Sequence, residues 1–342
     1  MSSALLNRQP PSPVVARSST RIEALDWTKG ALIVCMVIYH AINYSAFRPL
    51  AFRFLAFLPP SFIFITGFLV GQVYAAKYDL GTWKPYARLA IRGIKLLLLF
   101  TFLNFARCVL LEHSLVGGVD NFSARLNSIY LSGNGRAGIF EVLLPIAYFL
   151  LLAPALLWFR SRIRGSTILC ATAVFCLCQA LEMNGQPLKN VDLLSVGVIG
   201  MAFGLVRIQT IDSLATKWFL VLFFYLLYRL CSYFYGETYP VQTFAAAVSV
   251  LLLYCCALHM DTANWLGRQM MVLGQYSLLG YLVQIALLQG TVKVFGGNPQ
   301  HVIGVVAVIS LTTIMTFFVV KAVHEFRQRN RAVQMIYKSV FA

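Results

Sequence analysis

Residues 23–46 read EALDWTKGALIVCMVIYHAINYSA, a run long and apolar enough to cross a bilayer that nevertheless carries Asp26, Lys29 and His40. Eleven residues separate Lys29 from His40, about three helical turns, so the two share one face of a helix some ~16 Å apart along its axis. Asp26, three positions before Lys29, falls on the same face. Ionisable groups at membrane depth are costly and by default mark function. Such a stripe is expected to face a polar channel inside a bundle, because exposing it to lipid would leave charge unsolvated.

The rest of the chain fits that setting. Its 342 residues are 59% hydrophobic and only 12% charged, with a mean hydropathy of +0.74, which is far more apolar than a soluble domain. The expected fold is an all-α, polytopic membrane helix bundle. Apolar runs at 24–46, 54–76, 89–111, 138–159, 166–181, 191–207, 218–235, 241–259, 270–290 and 302–323 give about ten transmembrane helices, with 166–181 and 191–207 short. An even count puts both termini on one side. That side collects 19 Lys and Arg, the opposite side 8, and Lys29 lies within the first span, so both termini are expected to be cytoplasmic. The same distribution accounts for the net charge of +16, and the expected partner is the lipid bilayer, with no nucleic acid.

Residues 1–20 (MSSALLNRQPPSPVVARSST) lack the apolar core of a signal peptide and read as a disordered cytoplasmic tail. Residues 21–327 form one transmembrane domain. Residues 328–342, ending in RAVQMIYKSVFA, mix basic with apolar side chains and suit a cytoplasmic interfacial tail. The loop at 112–137 is rich in Gly, Ser and Asn; it serves either an acceptor or merely as a connection. Cys35, Cys170, Cys176, Cys178, Cys255 and Cys256 lie in apolar runs without a second Cys/His pair at metal-ligand spacing, so they read as packing residues and no metal is expected.

Three further positions carry chemistry. His40, in the external half of its helix, can accept a proton at physiological pH and serve as a general base, or it can be a structural histidine bonded to a neighbouring helix. Arg88, Arg92 and Lys95 in YARLAIRGIKLLLLF (86–100) recur at i, i+4 and i+7; this face at the cytoplasmic start of the third span either holds phosphates or marks topology. Glu141 is, besides Asp26, the acidic residue clearly inside a span. It lies near the depth of His40 and either stabilises a protonated His40 or pairs with Arg136 or Arg229.

RIEALDWTKGALIVCMVIYH (21–40) resembles the first helix of the acyltransferase 3 superfamily, whose basic residue and histidine keep the spacing of Lys29 and His40. In the same order, PPSFIFITGFLVGQVY (59–74) is similar to the second-helix motif, RLAIRGIK (88–95) to the basic third-helix motif and LGQYSLLGYLVQ (273–284) to the late Ser–Tyr motif. GIFEVLLPIAYFLLLAPALLW (138–158) is similar to the branch of periplasmic glucan succinyltransferases. The sequence departs from the pattern at Lys29 for arginine, Thr66 for serine and Gln284 for histidine, and lacks the tryptophan that often precedes the glutamate.

The resemblance, spanning roughly residues 21–290, implies an acyltransferase of the bacterial inner membrane that takes an acyl group from cytosolic acyl-CoA, acetyl-CoA or succinyl-CoA, to a hydroxyl of an extracytoplasmic glycan. His40 would deprotonate that hydroxyl with Glu141 beside it, and Lys29, Arg88, Arg92 and Lys95 would hold the donor. Asn43, Tyr44, Tyr281 and Gln284 are candidates for oxyanion stabilisation. A transporter or flippase is the alternative; the paired, interrupted helices of two-halved transporters are not visible. A structural or sensory membrane protein is the third class, and self-association is left open.

Overall fold

The computed structural model describes residues 22–341 apart from 76–77, 79, 113–114, 133–139, 262–263, 296, 298 and 300. The described chain is helical, without strands: α1 (Glu23–Asn43), α2 (Arg48–Leu55), α3 (Leu58–Leu69) continued by a π-helical segment (Val70–Ala75), α4 (Lys84–Glu112), α5 (Leu115–Ala124), a second π-helical segment (Ser128–Ser132), α6 (Leu143–Arg162), α7 (Ser166–Met183), α8 (Lys189–Phe203), α9 (Ile208–Ala215), α10 (Trp218–Tyr235), α11 (Tyr239–His259), α12 (Trp265–Gln275), α13 (Ser277–Val294), α14 (Val302–Arg329) and α15 (Arg331–Phe341). Among the described residues nine helices are long and apolar enough to cross a membrane, and α8 with α9 makes a tenth if that pair, bent by 100°, counts as one span. The tail at 1–20 lies outside the described residues.

The first helix occupies the centre of the bundle. Leu32, Ile33, Met36, Val37 and Ala41 are essentially inaccessible, and α1 packs against α3, α11, α12, α13 and α14. A helix that joins a polar stripe to an otherwise apolar surface must keep that stripe out of lipid, and α1 does so by being surrounded by protein. The periphery faces outward with large apolar side chains: Trp218, Phe219, Phe223 and Phe234 on α10, Ile303, Ile314 and Phe318 on α14.

Backbones approach closely along a glycine seam between α3 and α8. A Cβ on Gly67 would stand 2.0 Å from the Gly197 carbonyl oxygen, and one on Gly200 2.2 Å from that of Phe64. Small residues let transmembrane helices touch this way and gain dispersion contacts that lipid would otherwise supply. The crossing of α1 and α12 is tighter still, since a Cβ on Gly274 would fall 1.6 Å from the Asp26 carbonyl oxygen.

Two expectations change. The run at 270–290 is not one helix: Tyr276 (φ −107°, ψ 31°) closes α12 and opens α13. The first piece is held against α1 by the Gly30–Gly274 contact, and the second is the apolar helix of spanning length. The segment 112–137 is also more than a connection, in its described part. It contains α5 and a π-helical segment whose Tyr130 shares a hydrogen bond with Thr101 Oγ1 (2.6 Å) and accepts, through its carbonyl, from Tyr148 Oη (3.0 Å) and Asn190 Nδ2 (3.3 Å).

The short amphipathic α15 folds back on the bundle. Its Tyr337 ring packs edge-on to Tyr276 at 5.1 Å, with the Arg327 guanidinium 4.6 Å above the Tyr337 ring, while Met335 and Ile336 point outward.

Candidate active site

The polar stripe of α1 opens into two cavities, one toward each end of the helix. The cavity on the side of the termini has a volume of about 580 Å³ and is lined by Lys29 from α1, Phe62 and Thr66 from α3, Tyr74 from the π-helical segment, Tyr78, Arg92 from α4, Val142, and Ser277 and Tyr281 from α13. The cavity on the opposite side, about 270 Å³, is lined by Tyr39, His40, Asn43, Tyr44, Pro59, Phe140, Glu141, Val142, Lys189, Tyr281 and Gln289 among others. Val142 and Tyr281 belong to both.

In the larger cavity Lys29 is not a bare cation. Asp26, one turn earlier, holds its Nζ at 2.7 Å, and both side chains are largely shielded (18% and 8% exposed). The anion a buried lysine requires is therefore supplied by its own helix. Opposite, Arg92 donates to Tyr74 Oη and Arg88 to Tyr78 Oη, each at 3.1 Å. The two tyrosine rings stack at 5.1 Å. The turn that carries Tyr74 is π-helical, a distortion frequent at functional sites because it re-aims side chains. Arg88 and Lys95 line neither cavity; Lys95 donates to the Lys338 carbonyl of α15 at 3.0 Å. Of Arg88, Arg92 and Lys95, Arg92 alone lines the cavity.

In the smaller cavity the Nε2 of His40 is buried and has no hydrogen-bond partner. The Tyr39 ring lies edge-on at 5.2 Å. A purely structural histidine would have that nitrogen satisfied by a neighbouring helix, since a buried unpaired polar atom costs free energy. Here that nitrogen faces the cavity without a protein partner. Glu141 lines the same cavity, but its carboxylate pairs with Lys189 at the start of α8 (3.0 Å). Of the alternative partners, Arg136 lies outside the described residues, and the Arg229 guanidinium sits 4.7 Å over Phe54 rather than on Glu141. Phe140, immediately before Glu141, has φ +64°, a strained conformation for a bulky residue that aims the chain into α6.

Among the oxyanion candidates, Asn43, Tyr44 and Tyr281 line the cavity of His40. Gln284 does not. It is 1% exposed, and both polar atoms of its amide are unpartnered. The sequence reading missed Lys189, Tyr39, Tyr74 and Tyr78. A signal existed for the first, which is one of few basic residues on the side opposite the termini, and for Tyr74 and Tyr78, whose i, i+4 spacing mirrors that of Arg88 and Arg92.

One helix of the bundle thus supplies a lysine to a cavity on one side and a histidine to a cavity on the other. A family model described as an acyltransferase domain matches residues 22–321. The chain belongs to the acyltransferase 3 family and is a membrane acyltransferase. No curated protein and no solved structure matches it.

Proposed function

We propose that the protein takes an acyl group, acetyl or succinyl, from cytosolic acyl-CoA and transfers it to a hydroxyl of a glycan on the far side of a bacterial inner membrane, with His40 as general base. The observation that carries this reading is that the cavities of Lys29 and His40 abut at Tyr281 and Val142. Coenzyme A is polyanionic and cytosolic, and it suits the cavity where Lys29 and Arg92 lie on the side of the termini. Arg88 and Lys95 flank its approach, and their charge favours phosphate. The thioester end extends toward His40. Nε2 of His40 takes the hydroxyl proton as the oxygen attacks the thioester carbon. The new C–O bond forms, the C–S bond breaks, and the proton passes on to the thiolate, which leaves as the coenzyme A thiol. Asn43, Tyr44 and Tyr281 line the His40 cavity, and we take the oxyanion donors from among them. Glu141 lines the same cavity, but its carboxylate is tied to Lys189, so the base role falls to His40.

Purified protein given acetyl-CoA or succinyl-CoA with glycan acceptor is expected to release free thiol, and glycans from cells with and without the gene are expected to differ by one acetyl or one succinyl unit in mass. General-base catalysis contributes about 10²- to 10⁴-fold, so His40→Ala and His40→Gln, produced at normal level, should each lose at least ~100-fold in thiol release. Retention of more than about a tenth of the activity by His40→Ala excludes the base role.

A further inference from the structure

Two cavities that meet at a wall pose a question about the wall. Its main element is Tyr281, 6% exposed. Its ring is held between Phe62 (centroids 6.3 Å apart), which lines the Lys29 cavity, and Phe140 (5.9 Å), which lines the His40 cavity. Val142, 8% exposed, completes the partition two residues beyond the strained Phe140. The supports of Tyr281 thus come from two other parts of the bundle: Phe62 from α3, and Phe140 and Val142 from the entrance of α6. The wall is built of aromatic side chains meeting at a tilt and edge-on, with the Tyr281 hydroxyl bonded to the Val142 backbone, so a rotation of the Tyr281 side chain is the smallest movement that would join the two cavities.

We infer that Tyr281 is the gate through which the acyl end of the donor passes and that its ring sets the size of acyl group the enzyme accepts. The inference rests on the reading of acyl-CoA as donor. If the thioester is to meet a hydroxyl beside His40, the acyl group is the leading end of the donor and crosses the partition first. It must then share a space of about 270 Å³ with the acceptor hydroxyl. A phenol in the path admits small acyl groups and excludes long ones. An apolar pocket discriminates about 10- to 200-fold for each methylene it can or cannot accommodate.

The test is a comparison across acetyl-, butanoyl- and hexanoyl-CoA with the wild type, Tyr281→Phe and Tyr281→Ala, reading kcat/KM for thiol release. Tyr281→Phe, which keeps the ring, should hold the wild-type order of preference. Tyr281→Ala should move it toward the longer donors by at least ~10-fold relative to acetyl. An unchanged order in a folded Tyr281→Ala protein overturns the gate, because a merely structural role lowers all donors together. A second measurement does not depend on catalysis. Leu193, buried on the His40 cavity, is replaced by Cys, and sealed vesicles with the side of the termini outward receive a small charged thiosulfonate. Labelling of that site, read by peptide mass, should accelerate at least ~10-fold on adding Tyr281→Ala. Equal labelling rates overturn the gate. If the wild type consumes none of the thioesters, the donor reading fails, and the labelling rates alone decide the gate.

Discussion

Asp26→Asn leaves the Lys29 ammonium inside the bundle without the carboxylate that stands 2.7 Å from it. Both side chains are well shielded, so the pair lies in the regime where removing one partner costs about 3–5 kcal/mol, chiefly because the remaining charge stays desolvated. Asparagine keeps an acceptor oxygen at the same position, which puts the loss at the lower end, about 3 kcal/mol. At roughly 2 °C per kcal/mol for a chain of this size, the midpoint of thermal unfolding should fall by ~6 °C. The variant Asp26→Asn/Lys29→Met removes both charges and should recover most of that loss, since a buried ion pair replaced by neutral groups is close to isoenergetic. Detergent-purified protein followed by fluorescence-detected size exclusion after heating measures all three midpoints. The same single substitution frees Lys29 for an external anion and should tighten acyl-CoA binding. A double variant no more stable than Asp26→Asn, or a single variant within about 1 °C of the wild type, refutes the account of Lys29 as a cation neutralised within its own helix.

Arg92→Gln should weaken acyl-CoA binding by about 10- to 100-fold in isothermal titration, the worth of one charge-assisted hydrogen bond; unchanged affinity would reduce the basic face of α4 to a topology signal. Tyr74→Phe, which removes the hydroxyl that takes the Arg92 bond at 3.1 Å, should cost less than Arg92→Gln in the same titration. Gly274→Ala should sharply lower the yield of folded protein, because the new methyl would meet the Asp26 carbonyl at 1.6 Å; Gly290→Ala, which meets nothing within 4 Å, is the tolerated control, and equal yields from the two would contradict the α1–α12 crossing.

Much of this architecture is legible in the sequence because membrane solvation is a blunt constraint. Ten apolar runs fall on the observed helices, and the three-turn spacing from Lys29 to His40 places both on cavity-lining faces. The departures have physical causes. A hydropathy run does not reveal where a backbone must yield, so 270–290 reads as one span although Gly274 presses α12 onto α1 and the chain restarts at Ser277. Charge pairing across the bundle is equally hidden. Glu141 finds Lys189, 48 positions away, because α6 and α8 begin side by side on the same surface, and nothing local in either segment announces the neighbour. Arg88, Arg92 and Lys95 share a face of α4 by periodicity, yet of these only Arg92 lines the cavity, since Lys95 is engaged by a helix far along the chain.

The aromatic partition between the two cavities has an electrical side. A protein wetted from both faces no longer drops the membrane potential across about 30 Å of hydrocarbon; the drop concentrates across the short dry layer between the cavities, which α1 fills with the uncharged residues from Gly30 to Tyr39. Moving one elementary charge through that layer costs or releases about 2.3 kcal/mol per 100 mV. The acyl group, if neutral, crosses without feeling the field, whereas a proton or a phosphate would feel all of it. Lys29 with its carboxylate sits on one shore and the His40 imidazole on the other; the transfer proposed above would carry a neutral carbon chain between them while the layer remained an insulator.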